Sequence, residues 1–185
     1  MSEKRKLKIE ASVDEYIHFK VNETKIDFPR FIDEMTSAFG PSFILRNPQV
    51  TAIEFYLARI AVDCHYLWLL FPADIANEIF KLVYSKYLKF NEFTPEEVAG
   101  KLFGYMDILD AIQSAESEAK QSSSLRKFSE QFLDAILGPG LTCFYVKGLE
   151  DQRIVDPLLT AACSERLMKY NISWKAIRET AELIR

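Results

Sequence analysis

Cysteine and histidine are scarce in this chain, whose 185 residues include three Cys and two His. The cysteines are Cys64, Cys143 and Cys163, and their odd number and wide spacing suit free thiols rather than a disulfide framework. A structural zinc ion usually takes four Cys or His ligands, so the sequence predicts no metal site. The chain also has no apolar signal-peptide segment following Glu3. We therefore expect a cytoplasmic protein.

An excess of positive charge is also missing, because the formal net charge is −4 and the isoelectric point is about 5.3. A short basic cluster at residues 4–8 is too small to favour nucleic acid against that acidic background, so we expect no nucleic-acid partner. Acidic residues concentrate between Asn91 and Lys120, where seven Asp or Glu accompany two Lys. This acidic segment predicts a surface complementary to a basic protein.

No long apolar run is free of ionisable groups. The most apolar stretch, 52–71, has sixteen apolar residues out of twenty, yet it is interrupted by Glu54, Arg59, Asp63 and His65. A charged side chain at the centre of a bilayer costs ~2.5–3.5 kcal/mol on insertion scales. We therefore predict no membrane span, and we interpret 52–71 as a helix buried inside a soluble protein.

The sequence predicts a mainly α fold: a bundle of about six helices around the central hydrophobic helix 52–71, in one domain over residues 1–185. The clearest helix start is Thr94-Pro95-Glu96-Glu97, which combines a cap residue, a proline at the first helical position and a capping-box glutamate.

A small N-terminal antiparallel β element is expected beside the helices. Apolar and polar residues alternate from Lys6 to Val13, and further alternations follow, so residues 1–28 are predicted to form a β meander packed on the helical domain. The small polar residues of 114–124 predict a mobile loop. The segment 141–147 is β-branched and aromatic, and it leaves open a strand or a buried extended segment.

The familiar motifs for nucleotide, hydrolase, protease and calcium sites are missing, so we predict neither catalytic residues nor a cofactor. The ionisable groups of 52–71 are then the best candidates for a site, because buried charges need partners. Arg59 and Asp63 lie four residues apart and can pair along one helix face. The alternative is a ligand pocket lined by Arg59, Asp63, His65, Glu54 and Tyr66, with Asp63 or His65 as acid or base and Arg59 as an anion clamp.

A stripe of small residues on the helix after Thr94 suggests a second kind of site. Gly100, Gly104 and Ala111 lie on one side, and glycine inside a helix costs ~1 kcal/mol relative to alanine. Close approach of another backbone would explain them as interface residues, whereas a tolerant solvent-facing surface would explain them equally well.

Three functions remain open on these observations. The first is a non-enzymatic helical protein that acts through contact with another protein or with itself, as an adaptor, a regulator or a homodimer. The second is a small-molecule binding protein with an aromatic-lined pocket near Arg59, Asp63 and His65. The third is an enzyme of unknown class.

Overall fold

The computed structural model describes residues 4–40, 43, 47–137, 157–168 and 173–184, together with the backbone of 143–144 and 154–155. This part of the chain forms seven α-helices and four short strands, and the prediction of a mainly α protein is confirmed. The helices are α1 (Ile9–Phe39), α2 (Pro48–Leu70), α3 (Ala73–Leu82), α4 (Pro95–Gln113), α5 (Glu118–Leu137), α6 (Pro157–Met168) and α7 (Ser173–Thr180). The strands are β1 (Arg5–Lys8), β2 (Cys143–Phe144), β3 (Ile154–Val155) and β4 (Ala181–Ile184), and a π-helical turn, Val83–Tyr87, follows α3.

Helix α2 contains most of the apolar stretch seen in the sequence. Thirteen of its 23 residues are buried, and it contacts each of the other six α-helices. Asn47 caps its N-terminus by accepting hydrogen bonds from the backbone N–H groups of Gln49 and Val50, and Pro48 occupies the first turn. Among the described helices, none is both long and apolar enough to cross a bilayer.

The predicted N-terminal antiparallel meander is wrong. Within residues 4–28 the structure has one strand, Arg5–Lys8, and it pairs in parallel with β4 in the register Arg5 with Ala181 through Lys8 with Ile184. Residues Ile9–Phe39 form a helix instead. The apolar residues that alternate near the N-terminus also belong to a longer pattern with spacings of three and four, which is the helical repeat. Along that repeat α1 buries Ile9, Val13, Tyr16, Ile17, Lys20, Phe31 and Met35.

Local signals explain the other element boundaries. The capping box is confirmed, since Thr94 Oγ1 accepts from Glu97 N while the Glu97 carboxylate accepts from Thr94 N. The prediction of a loop over 114–124 is wrong from Glu118 onward, where α5 has already begun. Of 141–147, the structure describes only β2, which pairs antiparallel with β3; the remainder of that segment lies outside the described residues.

Candidate functional site

Two charged residues of α2 pair with three charged residues of α1, and we call these five the ionic cluster. Lys20 Nζ lies 2.7 Å from Asp63 Oδ2 and 2.9 Å from Glu23 Oε2. The Arg59 guanidinium lies 2.8 Å from both Glu23 Oε2 and Asp27 Oδ2. The side chains of Lys20, Arg59 and Asp63 are at most 3% exposed, so these charges interact away from water.

Asp63 also connects the ionic cluster to α7. Its Oδ2 accepts a hydrogen bond from the Tyr16 hydroxyl at 3.0 Å, and its Oδ1 accepts from the backbone N–H of Ser173 at 3.0 Å. Burial, and next the negative charge of Asp63, raise the pKa of Tyr16 well above 10. The Tyr16 ring stacks on Trp174 with centroids 4.2 Å apart. One carboxylate therefore joins α1, α2 and the first turn of α7.

Glu54 forms a separate buried cluster with α4. Tyr105 donates a hydrogen bond to Glu54 Oε1 at 2.6 Å, and Lys101 Nζ lies 2.7 Å from Glu54 Oε2. Burial is the main cause that raises the pKa of the Tyr105 hydroxyl, and the Glu54 charge adds to it. A buried carboxylate with two donors is a structural arrangement, because its charge is both paired and hydrogen-bonded.

His65 lies apart from both clusters and lines a groove between α2 and α4. Its Nδ1 lies 2.9 Å from Asp110 Oδ1, within hydrogen-bonding distance. The groove has a volume of about 400 Å³, and we call it the α2–α4 groove. It is lined by His65, Trp68, Leu69, Phe103, Met106, Asp107, Asp110 and Gln113.

Three apolar side chains that line the α2–α4 groove are exposed. Trp68, Leu69 and Phe103 are 39%, 51% and 45% exposed. Phe80 of α3 lies between two of them, with ring centroids 5.5 Å from Trp68 and 5.9 Å from Phe103. These contacts hold the two exposed rings in place over a shared aromatic support.

The predicted ligand residues are thus divided among three places. Arg59 and Asp63 share the ionic cluster, Glu54 lies with Tyr105, and His65 lies in the α2–α4 groove. Tyr66 is half-buried and packs edge-on against the His65 ring at a centroid distance of 5.2 Å. Arg59 and Asp63 form ion pairs with charged residues of α1. The structure therefore does not bring Arg59, Asp63 and His65 together around one cavity.

A second cavity, of about 370 Å³, lies between α1 and α7. Tyr16 and Ser173, which both bond to Asp63, form part of its wall, and the Arg5–Glu15 ion pair lies at its edge with an Nη2–Oε2 distance of 2.6 Å. The rest of its lining is mainly apolar, with Phe19, Ala176, Ile177 and Thr180.

The small-residue stripe of α4 has two different environments. A Cβ added at Gly104 would lie 3.0 Å from Gln131 Nε2 of α5, so this glycine allows close packing within the chain. Gly100 is exposed, with nothing within 4 Å of such a Cβ, and Ala111 is exposed as well.

The two cysteines whose side chains are described are buried, and burial raises the thiol pKa of both Cys64 and Cys163. A raised pKa keeps a thiol protonated and unreactive at neutral pH. Within the described part of the chain, His, Cys, Asp and Glu form no group of three suited to a metal ion.

Sequence reasoning missed the α1 half of the ionic cluster. Lys20, Glu23 and Asp27 were assigned to strands and turns, so no partners for Arg59 and Asp63 could be named. The available signal was Lys20, which continues the helical repeat of Ile9, Val13 and Tyr16. A lysine in a buried helical position requires an acidic partner.

Comparisons of the chain with protein-family models, with curated proteins and with solved structures found no match.

Proposed function

We propose that this protein is non-enzymatic and acts by binding another protein through the α2–α4 groove, which a bundle of helices arranged around α2 presents to solvent. The observation that carries the proposal is the joint exposure of Trp68, Leu69 and Phe103 in one concave surface. Contiguous exposed apolar side chains mark interaction sites, and aromatic residues are enriched at protein interfaces.

The charge of the α2–α4 groove indicates the chemistry of the partner. Asp107 and Asp110 lie on the α4 side, and both are exposed. Carboxylates at the rim of an apolar groove favour a partner that carries lysine or arginine beside its apolar anchors. This agrees with the acidic segment of the sequence, to which α4 contributes most of its length.

The buried charges of α2 support a binding role over a catalytic one. Glu54, Arg59 and Asp63 are at most 2% exposed, and each is paired with a side chain of another helix. Their geometry explains how helices are held together. A catalytic group would instead need access to a bound substrate.

Site-specific photo-crosslinking in the cells that produce the protein tests this proposal. We expect p-benzoylphenylalanine in place of Gln113, at the edge of the α2–α4 groove, to give a defined adduct. The same probe in place of Val21, which is 37% exposed on α1, serves as the control position. Phe103→Glu should abolish the adduct at position 113 while leaving the helical circular dichroism unchanged. Equal adducts at both positions, or an adduct that survives Phe103→Glu, would refute the proposal.

A second candidate function is small-molecule binding in the cavity between α1 and α7. Its volume of about 370 Å³ lies in the usual range of ligand pockets, ~300–1,000 Å³, and its wall is mainly apolar. Native mass spectrometry of the purified protein should show a retained ligand that Ala176→Trp removes and Lys175→Trp does not. An unliganded mass for the wild type under gentle conditions, after incubation with cell extract, would count against this candidate.

A further inference from the structure

Helix α1 carries exposed apolar side chains that lie outside the α2–α4 groove, and one of them, Phe19, also lines the cavity between α1 and α7. Phe19 and Ile26 are 53% and 63% exposed, and their spacing of seven residues places them on the same side of the helix. Lys25 and Arg30 flank Ile26 and are exposed too. We call Phe19, Lys25, Ile26 and Arg30 the α1 stripe.

The charges of the α1 stripe complement those of the α2–α4 groove. Neither Lys25 nor Arg30 forms an ion pair with another described residue, and the same holds for Asp107 in the groove. Asp110 has only the His65 ring as a partner within the described chain. Two cations without an ion pair among the described residues on one surface, and two carboxylates on the other, favour contact between the surfaces and disfavour contact of either with itself.

The two surfaces also have similar lengths. Along α4, the groove extends from Phe103 to Gln113, a separation of ten positions that spans about 15 Å of helix. The α1 stripe extends from Phe19 to Arg30, a separation of eleven positions that spans about 16 Å. The apolar side chains Phe19 and Ile26 can therefore both reach the groove when the helices lie side by side.

From these observations we infer that the α2–α4 groove receives the α1 stripe of a second copy of this chain. The inference rests on the proposed function and names the partner of the same site. Within one chain the described lining of the groove includes no residue of α1, and Phe19 and Ile26 remain exposed, so a contact between stripe and groove joins two molecules. Because the two surfaces differ, each copy offers one of each. The contact closes into a dimer or ring, or extends into a chain of copies.

Sedimentation velocity over a concentration series measures the predicted association. The wild type should show a concentration-dependent increase in mass. Phe103→Glu in the groove and Ile26→Glu in the stripe should each weaken association more than tenfold, because each puts a charge into the apolar centre of the contact. Val21→Glu, on the other side of α1, is the matched control and should leave association within about twofold of the wild type. Circular dichroism verifies that all three variants are folded.

Mixing two of these variants gives the sharpest test. Ile26→Glu retains a working groove and Phe103→Glu retains a working stripe, so a mixture should form a one-to-one pair that neither variant forms alone. Formation of that pair supports the inference. Separate sedimentation of the two variants, or a wild type that remains monomeric up to ~1 mM, overturns it.

Failure of the inference is distinguishable from failure of the proposed function. An adduct at position 113 with the mass of two copies supports both. A monomeric wild type whose groove-dependent adduct contains a different protein overturns the inference and leaves the proposed function standing. A monomeric wild type without a groove-dependent adduct overturns both.

Discussion

Replacing Asp63 by Asn tests the role of the ionic cluster with little change in side-chain volume. Asp63 accepts hydrogen bonds from Lys20, Tyr16 and the backbone N–H of Ser173, at 2.7, 3.0 and 3.0 Å. The amide of Asn has one acceptor oxygen, and its NH₂ group would face one of these donors. The substitution therefore removes the charge opposite Lys20 and leaves at least one of the donors without an acceptor.

The size of the effect follows from burial. Removing one partner of a buried ion pair costs ~3–5 kcal/mol, because the other charge stays buried and uncompensated. Lys20 keeps a second carboxylate, Glu23, at 2.9 Å, which moderates the loss. We therefore expect Asp63→Asn to lower the free energy of unfolding by about 3 kcal/mol, the low end of that range.

Urea unfolding followed by circular dichroism measures this quantity. With an m-value of ~2 kcal/mol/M, the midpoint should fall by ~1.5 M. Asp27→Asn is the matched control, because Asp27 is 15% exposed and Arg59 keeps Glu23, so its loss should be smaller. The double variant Lys20→Met/Asp63→Asn should lose at least ~1 kcal/mol less free energy of unfolding than the sum of the losses in the two single variants, since the two residues interact directly.

Two results would refute this reasoning. One is a loss below ~1 kcal/mol for Asp63→Asn, which would mean that the pair contributes no more than one on a protein surface. The other is strict additivity in the double variant, which would mean that Lys20 and Asp63 stabilise the fold independently.

Three further predictions concern α4. Thr94→Ala should lower the free energy of unfolding by ~1 kcal/mol in urea titrations, because it removes the capping box; an unchanged midpoint would contradict it. Gly100→Ala should raise stability by ~0.5–1 kcal/mol, since its Cβ meets open space, whereas Gly104→Leu should destabilise the chain against Gln131, and the reverse order would be inconsistent with the packing. Tyr105 has a pKa raised above its unfolded value of 10.0. Its contribution to the free energy of unfolding is therefore complete below pH 10, and it is lost at higher pH by up to ~1.4 kcal/mol per pH unit. The urea midpoint should therefore change less between pH 8 and pH 11 in Tyr105→Phe than in the wild type. The same change in both proteins would contradict the assignment of this pH dependence to Tyr105.

Features set by neighbouring residues could be predicted from the sequence. The capping box at Thr94 depends on residues within one turn of helix, and the apolar density of 52–71 indicated burial wherever the helix lay. Residues 9–28 show why local patterns also mislead. The alternation at Leu7, Ile9, Ala11 and Val13 is a strand pattern only over that short window, while the buried residues of α1 keep helical spacing from Ile9 to Lys20.

The candidate sites could not be predicted, because their partners are distant in the chain. Arg59 bonds to Asp27, 32 residues away, and Asp63 bonds to Tyr16, 47 residues away. A helical wheel shows in which direction Arg59 or Asp63 points, but it cannot show which helix lies opposite. The α2–α4 groove depends likewise on how Phe103 and Trp68 are placed across an interface between two helices.

The parallel pairing of β1 with β4 has a mechanical consequence. Arg5 pairs with Ala181 and Lys8 with Ile184, so the beginning of one strand and the end of the other lie at opposite ends of the ladder. A pulling force applied to the chain before Arg5 and after Ile184 would load all the hydrogen bonds of this pair at the same time, in shear. It could not open them one after another. Two strands of four residues each thus resist stretching more than their length suggests.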